Sequence, residues 1–315
     1  MTSEDNILLE IEDVSVSLPT PHGSVKAVDK TSFQIQKNET FVLIGESGSG
    51  KSILGLAIMR LLPKSAEFSG KIKLCGKNLV TLSEKEMRKI RGKTIASIAQ
   101  NPYLSMNPSL HVGAQIAEPM RIHLRLTKVA AKEKVHSLLN YFDIKPANIR
   151  SKEHPYRYSG GMLQRAMIAM GVAANPELII ADEPTKGIDV IKKQNIASLF
   201  HKISEDGCSF LIITHDIGFA QEMADRIAVN YCGQIIEIAE KNEFFNKQLH
   251  PYSEALVNSL PENGFEPISG QSPSMIDYPK GCRFHPRCKY ADDKCRTNPP
   301  MAETNNHFVR CWLYV

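Results

Sequence analysis

An unbroken apolar run of the about 18 residues that a membrane-spanning helix needs is missing from this 315-residue chain. That absence excludes a membrane-embedded subunit. The first residues, Met1-Thr2-Ser3-Glu4-Asp5-Asn6, are acidic and lack the basic and apolar regions of a secretory leader. The chain is therefore expected to be cytoplasmic, with any membrane role borrowed from a partner. Charge of one sign is missing too. Lys and Arg number 38 and Asp and Glu 34, a formal net charge of +4 that falls well short of the clustered basic face nucleic-acid binding requires. Internal repeats, coiled-coil heptads and low-complexity tracts are absent, which removes solenoids and long rods. The seven cysteines are an odd count; in a reducing compartment they are not expected to be structural disulfides, and a cluster of them is read first as a metal site. With 42% hydrophobic and 23% charged residues, the chain has the composition of an ordinary globular protein. Its length allows one large domain with an addition, or two modest domains.

What is present is arranged around Phe41 to Ser52, FVLIGESGSGKS. Within it Gly45, Glu46, Ser47, Gly48, Ser49, Gly50, Lys51 and Ser52 fit G-x-x-x-x-G-K-[ST], the loop that wraps nucleotide phosphates. The glycines allow a tight turn with N–H groups aimed inward, Lys51 can reach the β- and γ-phosphates, and Ser52 would hold Mg²⁺. A loop of this composition can also be a plain turn. Here an apolar strand pattern at Thr40–Ile44 precedes it and a helical one at Ile53–Leu62 follows, which is the context the motif needs.

Around this centre other residues fall into a series. Upstream, Ile7 to Ile35 alternates as antiparallel strands with a turn at Pro19–Gly23; this small sheet would cover the adenine side, with Val25 where a stacking ring is wanted. Phe68–Leu82 suggests another hairpin, and Ser83–Arg91 a helix. A strand at Thr94–Ala99 leads to Gln100, either solvated surface or a Mg²⁺ ligand that positions water. Helical patterns at Val112–Met120 and Thr127–Phe142 make an insertion spanning about 101–174. Ser159, Gly160 and Gly161 open the next helix, which runs to Ala174: Ser159 is an N-cap and the glycines leave N–H groups bare, so this end is an anion site or simply a cap. The buried strand Leu178–Ala181 delivers Asp182, which would complement Mg²⁺ through its water shell, and Glu183, which would polarise the attacking water. Asp189 lies in a following turn. The strand Cys208–Thr214 ends at His215, which could hydrogen-bond a γ-phosphate or be a satisfied core residue. Strands at Arg226–Tyr231 and Gln234–Glu240 follow.

In this order, over about residues 7–240, the phosphate loop, Gln100, Ser159-Gly160-Gly161, Asp182-Glu183, Asp189 and His215 resemble the nucleotide-binding subunit of an ABC transporter. The resemblance implies an α/β fold: a RecA-like P-loop NTPase core with an antiparallel β subdomain, a helical subdomain and a small cysteine-rich C-terminal extension. It implies ATP and Mg²⁺, and two subunits closing head to tail so that Ser159-Gly160-Gly161 of one caps the ATP on the phosphate loop of the other. Glu183, His215, Gln100 and Lys51 would be catalytic; the loop residues, Gln100, Asp182, Ser159, Gly160, Gly161 and Asp189 would bind the nucleotide, with Ser52, Gln100 and Asp182 on Mg²⁺. Leu104–Pro108 with Val112-Gly113, and His250-Pro251-Tyr252-Ser253-Glu254-Ala255-Leu256, resemble the subgroup that imports dipeptides, oligopeptides and nickel, a pattern shared by antimicrobial-peptide uptake systems. Its implied partners are a second, related ATPase subunit, two transmembrane permease subunits and an extracytoplasmic substrate-binding protein, with no nucleic acid; the implied location is peripheral, on the cytoplasmic face of the inner membrane. Where the family commonly has Thr-Ala-Leu-Asp this chain has Lys186-Gly187-Ile188-Asp189, and with Val25 this leaves open a subunit that binds ATP without cutting it. A soluble ABC-type ATPase acting on DNA or the ribosome is the other alternative.

The expected domains are 1–245, the nucleotide-binding domain, and 246–315, an extension with a Pro, Gly and Ser-rich linker at 261–281. Beyond the linker Cys282, Cys288, Cys295 and Cys311 are separated by five, six and fifteen residues, whereas structural zinc sites usually pair cysteines closely. These four resemble the iron-sulfur ligands in the tails of dipeptide-import ATPases, which implies a 4Fe-4S cluster; Zn²⁺ is the alternative and free thiols a third. Arg283, Arg287, Lys289, Lys294 and Arg296 could offset the charge of such a cluster. Cys75, Cys208 and Cys232 are expected to be buried fillers in strands.

Overall fold

The computed structural model describes residues 6–187 and 190–315. Asp189 lies outside the described residues. In chain order the elements are β1 (Ile7–Thr20), β2 (Gly23–Gln36), β3 (Thr40–Ile44), α1 (Lys51–Ile58), β4 (Glu67–Leu74), β5 (Lys77–Asn78), α2 (Glu84–Ile90), β6 (Ile95–Ile98), α3 (Pro102–Ser105), α4 (Val112–His123), α5 (Lys128–Tyr141) and α6 (Ala147–Arg150). There follow α7 (Gly160–Val172), β7 (Leu178–Asp182), α8 (Val190–Glu205), β8 (Ser209–Thr214), α9 (Ile217–Met223), β9 (Arg226–Tyr231), β10 (Gln234–Glu240), α10 (Lys241–Asn246), α11 (Pro251–Asn258), β11 (Ala302–Thr304) and β12 (His307–Val309). The described residues divide into two compact units, one from 6–81 and 213–315, the other from 82–212.

In the first unit, β1 and β2 form a long antiparallel hairpin, and the sheet runs β2-β1-β4-β5. Every apolar residue that β1 turns inward, Leu9, Ile11, Val14 and Val16, is fully buried, while the charged residues between them stay at the surface. Of the other, eight-stranded sheet, this unit holds β3, β9, β10, β12 and β11, in neighbouring order. β3 pairs in parallel with β9, Phe41 opposite Arg226 through Ile44 opposite Val229, and all five β3 residues are buried, as befits a strand covered on both faces. Burial of Phe41, Val42, Leu43 and Ile44 contributes about 1.5–3 kcal/mol each, and it fixes the floor from which the phosphate loop rises.

Helix α1 is shorter than its apolar pattern suggests. It starts at Lys51 and stops at Ile58, where Arg60 takes a left-handed φ of 51° and Pro63 prevents the helix from resuming. At its other end Gly50 is the N-cap, with φ 101°. A Cβ on Gly50 would lie 1.8 Å from the Ala27 carbonyl oxygen, on β2, so both the dihedral and the close approach require glycine. Gly50→Ala is expected to lower stability by about 2 kcal/mol or more, from the left-handed backbone and the clash together, read as a fall in melting temperature.

In the second unit, β6 and β7 pair in parallel, Ile95 opposite Leu178 through Ile98 opposite Ala181, with β8 on the other side of β7. Helices α4, α5 and α7 pack together around Ile116, Met120, Val135, Leu139, Leu163 and Met167, all essentially buried. Thr127 caps α5 by accepting the Ala130 N–H, and Ser159 caps α7 by accepting the Met162 N–H at 3.3 Å.

None of the three cysteines expected as strand fillers lies in a strand. Cys75 is exposed in the turn between β4 and β5, at φ 49°, and Cys232 is buried in the turn between β9 and β10, at φ 45°. Tight hairpin turns, which the strand-like flanks conceal, impose this conformation. Cys208 is buried just before β8, and burial pushes its thiol up to about 12, which keeps it an inert apolar filler.

Candidate functional site

The loop Gly45–Ser52 joins β3 to α1 in the first unit, and its shape is held from below. Asn230, at the end of β9, donates from Nδ2 to the Ser49 carbonyl at 2.6 Å, and the Gly233 N–H donates to the same carbonyl at 2.8 Å. A Cβ on Gly45 would sit 2.1 Å from the Asn230 carbonyl oxygen, so loop and strand meet backbone to backbone. Lys51 is 5% exposed; its ammonium donates to the carbonyls of Gly45 at 2.8 Å and Glu46 at 2.9 Å and to Ser49 Oγ at 3.4 Å. The cation therefore lies inside the curl of its own loop, at the start of α1, where a helix dipole also favours an anion. Ser47, Gly48 and Ser52 are exposed. The sequence pattern contains nothing that identifies Asn230 as the loop's support.

His215 follows β8 in the same unit and is exposed, and its neighbour Asp216 caps α9 by accepting the Phe219 N–H at 3.1 Å. Near Val25, where a stacking ring was wanted, the chain from 272 to 278 lies along β2. The Lys26 N–H donates to the Met275 carbonyl at 2.9 Å, the Tyr278 hydroxyl donates to the Lys26 carbonyl, and Met275 Cε is 3.6 Å from where a Cβ on Gly50 would stand.

In the second unit, Asp182 ends β7 and Glu183 follows in a turn, 8% exposed and with a left-handed φ of 50°. A left-handed non-glycine residue costs about 1–2 kcal/mol, and such strain gathers where function needs a fixed side chain. Gln164, on α7, donates from Nε2 to the Pro184 carbonyl at 2.6 Å, a buried bond that ties the helix opened by Ser159-Gly160-Gly161 to the turn carrying Glu183. Ser159 and Gly160 are exposed at the tip of α7, and Gln100 is exposed two residues beyond β6. Gln164 had no signal in the sequence beyond its place one turn into that helix.

The C-terminal cysteines gather in the first unit. Cys282, Cys288, Cys295 and Cys311 line one cavity of about 240 Å³ with His250, His285, Tyr290, Lys294 and Trp312. Among the described residues no group of three or more His, Cys, Asp or Glu side chains is gathered so as to hold a metal ion. Burial pushes the Cys282 thiol up to about 11 and raises the other three, while the backbone N–H groups of Phe284, Tyr290 and Leu313 work the other way on Cys282, Cys288 and Cys311. His250 is 1% exposed; its Nδ1 accepts the Tyr252 N–H at 3.0 Å, while Nε2 is buried without a hydrogen-bond partner among the described residues. A donor left over beside four sulfurs with inward N–H groups suits an anionic group with thiolate ligands. The expected charge offset is mostly spent elsewhere. Arg283 pairs with Asp29, Arg287 with Glu46, Lys289 with Glu254 and Arg296 with Asp293, leaving Lys294 as the member of that set that lines the cavity.

Two family profiles match this chain: ABC transporter at residues 28–186, and the oligopeptide/dipeptide transporter C-terminal region at residues 236–295. The chain is 41% identical over 317 residues to the oligopeptide transport ATP-binding protein AppD of Bacillus subtilis (strain 168), covering 98% of this chain and 97% of that one. It is 40% identical to the dipeptide transport ATP-binding protein DppD of the same organism, covering 97% and 94%, and 36% identical to the oligopeptide transport ATP-binding protein OppD of Salmonella typhimurium, covering 94% and 90%. Among solved structures it is similar in fold to the ATP-binding cassette MJ0796 in a dimeric post-hydrolysis state bound to ADP and Pi, with a TM-score of 0.66 at 24% identity over 74% of this chain and 99% of that one.

Proposed function

This chain belongs to the ABC transporter family, as an ATPase with a P-loop NTPase core, and from that premise we propose that it powers the import of oligopeptides and dipeptides through separate membrane-spanning partners. One observation carries the reading: a phosphate loop seated between β3 and α1 shares a chain with a C-terminal region of the oligopeptide/dipeptide type. In this reading Lys51 and the loop N–H groups bind the triphosphate. Ser52, Gln100 and Asp182 would hold Mg²⁺, which would offset phosphate charge when bound. Glu183 orients and polarises the attacking water, and His215 hydrogen-bonds the γ-phosphate. Ser159, Gly160 and Gly161 present the positive end of α7 to the nucleotide of a second, related ATPase subunit, with Asp189 contributing across that pairing.

No helix among the described residues is long and apolar enough to cross a membrane, so attachment at the cytoplasmic face would come from two permease subunits, supplied by an extracytoplasmic substrate-binding protein. The surface proposed to meet the permeases is α3, which follows Gln100 and leaves Tyr103 60% and Leu104 85% exposed. The test is phosphate release by the full complex in vesicles on addition of peptide-loaded binding protein. Release should rise several-fold; co-purification with nucleic acid and no response to peptide would contradict the reading.

The cysteine cavity is proposed to hold a 4Fe-4S cluster, bound by Cys282, Cys288, Cys295 and Cys311. Zinc would need its thiolates gathered at about 2.3 Å around one point. A four-iron cluster instead takes one thiolate at each iron around its rim, which suits cysteines spread about a cavity. Because burial raises all four thiols, loading must release protons and should weaken as pH falls. Protein prepared without oxygen is expected to be brown, with absorbance near ~400 nm and about four irons per chain. Colourless, zinc-loaded protein would overturn this assignment.

A further inference from the structure

Glu46 is the single acidic residue of the loop Gly45–Ser52, and a carboxylate there repels the anion the loop is built to bind. Residues from the C-terminal third of the chain hold it. Arg287 Nη1 donates to Glu46 Oε1 at 3.0 Å and Oε2 at 3.3 Å, with the Arg287 side chain 5% exposed and that of Glu46 28%. The guanidinium is itself fixed, donating from Nε to the Ser269 carbonyl at 2.9 Å and from Nη1 to the Tyr231 hydroxyl at 3.2 Å and Ser272 Oγ at 3.1 Å. The Ser272 hydroxyl donates to the same carboxylate, and the Tyr252 hydroxyl accepts the Glu46 N–H at 3.0 Å. Backbone and carboxylate of this loop residue are thus both engaged by residues far along the chain. All of these residues lie in the first unit.

We propose that Arg287 is a positioning residue for ATP: it neutralises and pins Glu46, so that the phosphate loop reaches full affinity only while the C-terminal segment is docked on it. The proposal rests on the loop being the ATP site. Arg287 acts through Glu46 and need not touch the nucleotide. A purely structural role, in which Arg287 merely anchors the tail, makes a different forecast, because removing the Glu46 charge would then not compensate for losing the arginine.

The test is the Kd for Mg–ATP of full-length protein, measured by equilibrium dialysis for wild type, Arg287→Ala and Arg287→Ala with Glu46→Gln. Arg287→Ala is expected to weaken ATP about tenfold with turnover at saturation little changed, and Glu46→Gln in the same chain should bring affinity back to within about threefold of wild type. Unchanged affinity in Arg287→Ala, or a double variant no tighter than the single one, overturns the proposal. Should Arg287→Ala fail to fold, Arg287→Gln with and without Glu46→Gln gives the same ratio of affinities, and the proposal stands or falls on it in the same way. Wild type that binds no ATP would indict the assignment of the loop itself, whereas wild type that binds ATP, with Lys51→Ala that binds it more weakly, leaves Arg287 alone under test.

Discussion

Lys51→Ala is expected to cut ATP hydrolysis by about two to three orders of magnitude, the loss typical of removing a charged donor aimed at transition-state charge. Lys51 is the only cation in the loop, and its side chain is buried with its ammonium on the carbonyls of Gly45 and Glu46. Its position is therefore set before any phosphate arrives, which lets its charge act without reorganisation. The substitution also takes a donor from the Gly45 carbonyl, at about 1–3 kcal/mol if water cannot reach it, while the Glu46 carbonyl keeps the Ser49 N–H at 3.2 Å. A modest fall in melting temperature should accompany the loss of turnover. Phosphate release at saturating Mg–ATP, with the melt as a control for folding, separates the two effects. Turnover within tenfold of wild type would show that Lys51 does not meet the phosphates.

Glu183→Gln is expected to reduce turnover about a thousandfold while ATP affinity is kept, within the range ascribed to positioned general bases. The substitution preserves size and hydrogen-bonding shape, so the turn at φ 50° and the Gln164 bond to Pro184 should persist. What disappears is a carboxylate able to polarise water. ATP should then stay trapped in the assembled complex, detectable as nucleotide that co-elutes unhydrolysed. Intact turnover would move the role of water-orienting residue to another group.

The strands around the phosphate loop were legible because each is defined by its own residues. β3 and β9 carry the apolar runs Phe41–Ile44 and Ile227–Val229, and β10 carries apolar pairs on either side of Glu237; all three strands form where those residues stand. The cap of α7 was equally local, since a serine before two glycines can bond the N–H three residues on. The C-terminal third was not legible in this way. Its Pro, Gly and Ser-rich stretch suggests a spacer, yet Met275 and Tyr278 bond β2 and Ser272 reaches Glu46. Those partners come from the opposite end of the chain, and local composition encodes nothing about them. The same holds for Tyr252, which marks a subgroup by its motif but reveals its hydrogen bond to the phosphate loop only when the chain is folded. Arg283 and Arg287 read as counter-charges for a cluster because they sit among the cysteines, whereas folding turns them to Asp29 and Glu46.

The most direct test of the ATP site is how much Mg–ATP the purified wild-type chain retains at equilibrium. Retention of one nucleotide per chain, lost when magnesium is chelated, is the outcome required if Gly45–Ser52 cradles a triphosphate. Folded protein that holds no ATP at millimolar nucleotide would contradict it.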